Sequence, residues 1–253
     1  MTIELLLQFL AIVAFSAYFQ TVTGFGLGMI VMGAMSGLGL MPIATIAAIN
    51  SLLSLVNSAV ALPGAMRSIE WRLVGAVLCG MFPGLVAGVL LLDYLGNASS
   101  QLLKFLLGLT IIYGGVSVAL QPSYAPRKAK RSVFFVTGIF SGALAGLFGM
   151  AGPPLVYQFY RQPLSLPEIR YSLIFLFAAS AGIRTVLVAG HGQLTFQIVL
   201  LTLMALPVGV LATYIAKRYP PRLNHSAMRR LAAAALVIIG LSLMWPLIRQ
   251  LME

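Results

Sequence analysis

The sequence is poor in the side chains that carry out chemistry. It holds one cysteine, Cys79, two histidines and five acidic residues, Glu4, Glu70, Asp93, Glu168 and Glu253. A single cysteine excludes an intramolecular disulfide, and Cys79, in mid-run, reads as a small packing residue. His191 and His225 have no partner at metal-ligand spacing, so no metal site is expected. All five acids lie near the ends of apolar runs. A buried carboxylate proton relay and an acid-lined cation pathway are therefore unsupported. No GxxxxGK[ST] run offers a phosphate cradle, which excludes nucleotide hydrolysis of that kind. No nucleophile–base pair stands out, so neither an enzyme nor a cofactor is expected. Charge of either sign is scarce, at 8% of residues, where a soluble domain carries about 25%.

What the chain does have is apolar length. Sixty per cent of its residues are hydrophobic, and apolar segments fall at 3–22, 26–41, 43–65, 71–92, 101–120, 133–149, 152–163, 169–190, 195–216 and 229–248. A membrane helix needs about 20 such residues. The second and seventh segments are short and interrupted by glycine or proline. The first has no Lys or Arg before it, which predicts a retained helix in preference to a signal peptide. The expectation is an all-α polytopic membrane protein, one transmembrane domain over 1–253, with about eight to ten crossing segments. The net charge of +11 sits in short loops. There it sets orientation and meets anionic lipid headgroups; nucleic acid is not an expected partner.

The two halves repeat at a spacing of about 125 residues: LMPIATIAAINSLLS (40–54) aligns with SLPEIRYSLIFLFAA (165–179). Pro42 answers Pro167, Trp71 answers Phe196, Pro83 answers Pro207, Lys104 answers Arg230 and Gly114 answers Gly240. Upstream, GFGLGMI (24–30) answers GLFGMAGPP (146–154). Repeat one is 1–120, a basic connector is 121–132, and repeat two is 133–253. Charge decides the relative orientation. If each glycine-rich segment turns the chain back, each half has about five segments. The loops 66–72, 121–132, 161–170 and 217–230 then share one side and hold 13 of the 16 Lys and Arg. Parallel halves would divide them evenly. The positive-inside rule favours two inverted repeats with both termini outside.

Inverted repeats with interrupted segments at matching places mark secondary transporters, whose broken helices form a midplane site. The candidates here are Gly24, Gly26 and Gly28 in the first break, and Gly149, Gly152 and Pro153 in the second. A helix restarting after a break offers free N–H groups and a positive dipole end to an anion. Pro153 and Pro154 suit a first helical turn. Close helix packing through GxxxG pairs is the competing explanation, favoured for Gly80, Gly84 and Gly88. Gly24, Gly26 and Gly28 have the wrong spacing for a dinucleotide fingerprint.

Asn50, Ser54, Asn57 and Ser58 share one helical face, as a substrate-facing stripe or as interhelical hydrogen bonds; Ser51 falls off that line. Arg184 lies within an apolar segment, about six residues from its end. It either faces an anionic substrate or snorkels to the outer surface. Ser172 and Ser180 lie near its line. Gln20, Thr21 and Thr23 lead into the first break. Tyr157 and Gln158 follow the second, as pocket donors or interfacial residues.

On GFGLGMI, GLFGMAGPPLVYQF and the downstream LMP and SLP, the sequence resembles the TauE/SafE family of sulfite and organosulfonate exporters, over nearly its whole length. The resemblance implies a permease of the cytoplasmic (inner) membrane that exports a small sulfur-containing anion such as sulfite, sulfoacetate or thiosulfate. Alternating access about the broken helices is the expected mechanism. Transport of another small anion of carboxylate type, by a carrier or channel, and a non-transporting role in a membrane complex remain alternatives. Proton coupling and a homodimer are open.

Overall fold

The computed structural model describes residues 3–98, 100–119, 129–219, 233–234, 236–245 and 249. Most of the connector, 121–128, lies outside the described residues, as does part of the tenth segment.

Among the described residues apolar length becomes helix. Six helices among these residues are long and apolar enough to cross a membrane: α1 (Ile3–Thr23), α3 (Ile43–Ala61), α4 (Trp71–Ala98), α6 (Arg131–Phe148), α8 (Leu166–Gly190) and α9 (Phe196–Arg218). Between them run α5 (Ser100–Ala119) and the shorter α2 (Leu27–Gly37) and α7 (Gly152–Tyr160), and α10 (Leu236–Trp245) follows. At 1.5 Å per residue α2 reaches only about 16 Å and α7 about 14 Å, roughly half a bilayer core. Each is what remains of a span after a break. At the first break Gly24 and Gly26 have φ of 86° and 108°; at the second Gly149 has φ of 65°. A side chain at such angles meets its own backbone, so a helix stops there and glycine tolerates the turn. The following helix starts anew. Pro153 and Pro154 occupy the first turn of α7, where a missing N–H removes no helical bond. Ser165 and Glu168 start α8 with a capping box.

Both breaks turn the chain back, and hydrogen bonds gather the loops into two ends. At one end Lys217 Nζ donates to the carbonyls of Val60 and Pro63 at 3.3 and 3.1 Å. There also Glu70 N donates to Ser172 Oγ at 3.0 Å, and Ala129 N to Gln162 Oε1 at 2.9 Å. At the other end Gln193 Nε2 donates to Asp93 Oδ1 at 3.0 Å. The first end holds Arg67, Lys130, Arg131, Arg161, Arg170, Lys217 and Arg218. Lys104 lies at the second, beside Asp93.

α3 and α8 occupy the centre and pack on each other; α9 covers α3 and α4 covers α8. The most extensive packing is between α4 and α6. Gly80, Gly84 and Gly88 of α4 face the carbonyls of Phe135, Ile139 and Ala143, and Gly138, Gly142 and Gly146 of α6 face those of Val77, Met81 and Leu85. Backbone lies on backbone, and no methyl group would fit. The packing expectation for these glycines therefore describes what they do. Cys79, expected to pack inside, is exposed instead. It lies on the outward side of α4, one residue from the glycine ridge.

Candidate functional site

The two breaks meet at mid-depth around α3. Gly28 approaches Met150 and Asn50: a Cβ added there would lie 2.8 Å from Met150 Cβ and 2.9 Å from Asn50 Nδ2. A cavity of about 20 Å³ opens at this point. It is lined by Gln20, Gly26, Gly28 and Met29 from the first break, and by Gly149, Met150, Ala151 and Gly152 from the second. Asn50 and Ser54 of α3 with Phe177 and Ser180 of α8 close it. One water needs about 10–15 Å³, so the space suits a compact polar group. No carboxylate lines it among the described residues.

The electrostatics follow from the backbone. The N-termini of α2 and α7 both abut the cavity, and neither has a side-chain cap on its N-cap residue. Leu27 N–H is taken by Gln20 Oε1 at 3.3 Å, which leaves the N–H groups of Gly28 and Met29 without helical acceptors. In α7 the prolines remove two donors and Gly152 keeps one. These groups and the positive ends of both helices favour negative charge. Asn50 is fully buried. Its Nδ2 donates to the Gly149 carbonyl at 2.7 Å, and its Oδ1 has no partner.

The polar stripe on α3 divides by depth. Asn50 and Ser54 face the cavity. Asn57, one turn on, belongs to a separate cluster: it accepts from Gln20 Nε2 at 3.0 Å and donates to Thr21 Oγ1 at 2.9 Å and to Thr213 Oγ1 at 2.7 Å. Gln20 joins the two groups. Ser58 donates to the Ile174 carbonyl at 3.3 Å.

Arg184 is 2% exposed and reaches no surface. Its Nε donates to the Gly146 carbonyl at 3.1 Å, and its Nη1 lies 3.5 Å from Ser51 Oγ. Gly146 is in the last turn of α6, where carbonyls lack helical donors and the dipole is negative. The guanidinium therefore answers a helix end and lies outside the cavity wall. Gly24 abuts the Cα of Arg170. Pro153 packs towards Gly114. Gln158 lines a different cavity with Tyr157, Phe140 and Pro154, and its carbonyl accepts from Gln162 Nε2 at 3.0 Å. Met29, Met150 and Phe177 complete the cavity wall without having been singled out by sequence. They are apolar residues in apolar runs and carry no signal. Ser51, set aside by its angle on the helix, meets Arg184 instead.

Comparison with known proteins matches this sequence to a family. The family model for the sulfite exporter TauE/SafE matches residues 9–243. A probable sulfite/organosulfonate exporter TauE of Cupriavidus necator is 49% identical over 251 residues, covering 98% of each chain. A probable inner membrane transporter protein TsaS of Comamonas testosteroni is 29% identical over 181 residues, 70% of this chain and 73% of that one. No solved structure matches. Its length, its twin glycine breaks and this near-complete match agree: the chain belongs to the TauE/SafE family of membrane transporters.

Proposed function

We propose that the protein exports a small sulfur-containing anion, of the sulfite or organosulfonate class, across the inner membrane by alternating access. One observation carries this reading: two helix N-termini, neither capped by its own N-cap side chain, converge on a small buried cavity that is lined by amide and hydroxyl groups and, among the described residues, by no carboxylate. Such a site stabilises an anion with fixed backbone dipoles. The naming of the full-length relative points to the sulfur class.

The halves act as inverted repeats. In support, α1 packs on α9 as α6 packs on α4, and α3 meets α9 as α8 meets α4. The basic end then faces the cytoplasm, where its loops meet anionic lipid headgroups. Among the described residues no acidic residue lines the cavity, so in this reading a proton that accompanies export travels on the anion.

The test is flux in proteoliposomes over sulfite, thiosulfate, sulfoacetate, taurine, sulfate and lactate, with and without a pH gradient. Saturable flux of a sulfur anion with counterflow is expected. Flux of lactate alone, or silence from folded protein, overturns the reading.

A further inference from the structure

A second cavity lies on the basic end, at the first turn of α8. Its volume is about 360 Å³ and its wall includes Val22, Thr23, Tyr160, Pro167, Arg170 and Tyr171. No carboxylate lines it among the described residues. Arg170 supplies its charge. The guanidinium carbon sits 5.3 Å from the Tyr171 ring centre, and Nε is buried with no hydrogen-bond partner. A buried N–H of a cation without an acceptor is costly, more so than a neutral one. Arg170 forms part of the cavity wall, so an oxyanion held in the cavity lies against this side chain. The backbone of Arg170 is fixed as well, because Gly24 presses against its Cα.

An aromatic stack lies between this cavity and the central one. Phe25 is fully buried. It meets Tyr160 edge-on at 6.0 Å and Phe19 edge-on at 5.8 Å. Tyr160 lines the basic cavity and its hydroxyl donates to the Thr23 carbonyl at 3.0 Å. Phe19 abuts Gly26, which lines the central cavity. The short segment 23–26 thus has Arg170 on one side and the central cavity on the other. The opposite end of the molecule differs: its cavity of about 910 Å³ is lined by Asp93 as well as Lys104, so it is less suited to holding an anion.

We propose that the Arg170 cavity is a second oxyanion site, which collects the anion at the basic face before it passes the Phe25 ring. The proposal rests on the anion-transport reading and adds a residue and a location to it. Arginine suits the task because its planar fork pairs with sulfur oxyanions and it stays charged. An anionic lipid headgroup has the same chemistry, and the test separates the two.

The experiment titrates sulfite calorimetrically into purified full-length protein in nanodiscs, with and without phosphatidylglycerol, for wild type, Arg170→Gln and Arg170→Lys. Sulfite flux is measured in parallel. Two sulfite sites are expected in wild type and one in Arg170→Gln. The KM for flux should rise about tenfold with kcat retained, and Arg170→Lys should recover part of the loss. A purely structural role would lower kcat and melting temperature in both variants and leave KM alone, which overturns the proposal. So does sulfite binding that is equal in wild type and Arg170→Gln, or an Arg170-dependent site that phosphatidylglycerol fills. Loss of one sulfite site in Arg170→Gln from a protein that shows no flux keeps the site and removes the export reading.

Discussion

Asn50 Nδ2 donates to the Gly149 carbonyl at 2.7 Å, across 99 residues of chain. This bond ties the central helix of the first half to the break of the second. Asn50 Oδ1 is buried without a hydrogen-bond partner. Asn50→Ala orphans the buried carbonyl. Stability should fall by about 1–3 kcal/mol, and sulfite flux should fall more than tenfold. Thermal melting and flux on the same preparation measure both. Unchanged flux would remove Asn50 from the site.

Gly149 is held by two constraints at once. Its φ is 65°, and a Cβ would lie 2.5 Å from the Ala47 carbonyl oxygen. The left-handed angle alone costs a side chain roughly 1–2 kcal/mol, and the contact forces α3 away from the break. Gly149→Leu should abolish flux while leaving detectable folded protein, and Gly26→Leu should do the same. Size-exclusion profiles together with flux check this. Normal transport by both variants would move the site elsewhere.

Arg184 gives the opposite pattern. It holds the last turn of α6 and does not line the cavity. Arg184→Met should therefore lower stability by about 1.5–3 kcal/mol, the range for a hydrogen bond to a charged group. The KM for the anion should stay within about twofold in the protein that remains folded. A tenfold rise in KM would make Arg184 a substrate cation after all.

The α4–α6 contact predicts a sharp contrast between two glycines of one helix. Gly84 faces the backbone of Ile139, whereas Gly75 has nothing within 4 Å. Gly84→Leu should prevent folding, seen as loss of membrane-inserted protein in detergent extracts. Gly75→Ala should leave yield unchanged and raise helix stability by up to about 1 kcal/mol.

Topology is open to labelling once the exposed Cys79 is changed to serine. Arg67→Cys lies by the basic end, near Pro63 and Ala65, and His191→Cys lies by the other, near Gln193. An impermeant thiol reagent should reach the first only from the cytoplasmic side and the second only from outside. Labelling of both from one side would dismiss the inverted arrangement.

Much of this architecture is written locally. Apolar length predicts α1, α3, α4, α6, α8 and α9, because each must satisfy its own backbone in lipid. The breaks are legible because only glycine accepts the angles of Gly24, Gly26 and Gly149 without strain. Their duplication, with Pro42 answering Pro167, points to the place where we propose the site. Loop charge indicates which loops share an end, since lysine and arginine are retained on one side of the membrane.

The partners of the polar groups are set by a different kind of contact. Asn50 and Asn57 lie on one helical face, yet one meets Gly149 and the other Thr213, because α6–α7 and α9 cross α3 at different depths. Arg184 sits among apolar neighbours in sequence. It becomes a helix-end partner only because α8 brings it to Gly146. Arg170 reads as one more loop cation until Gly24, Tyr160 and Tyr171 enclose it. Composition and period report how a residue meets its own helix and the lipid. Which polar group answers which depends on the crossing of helices far apart in the chain, and in lipid many such pairings cost nearly the same.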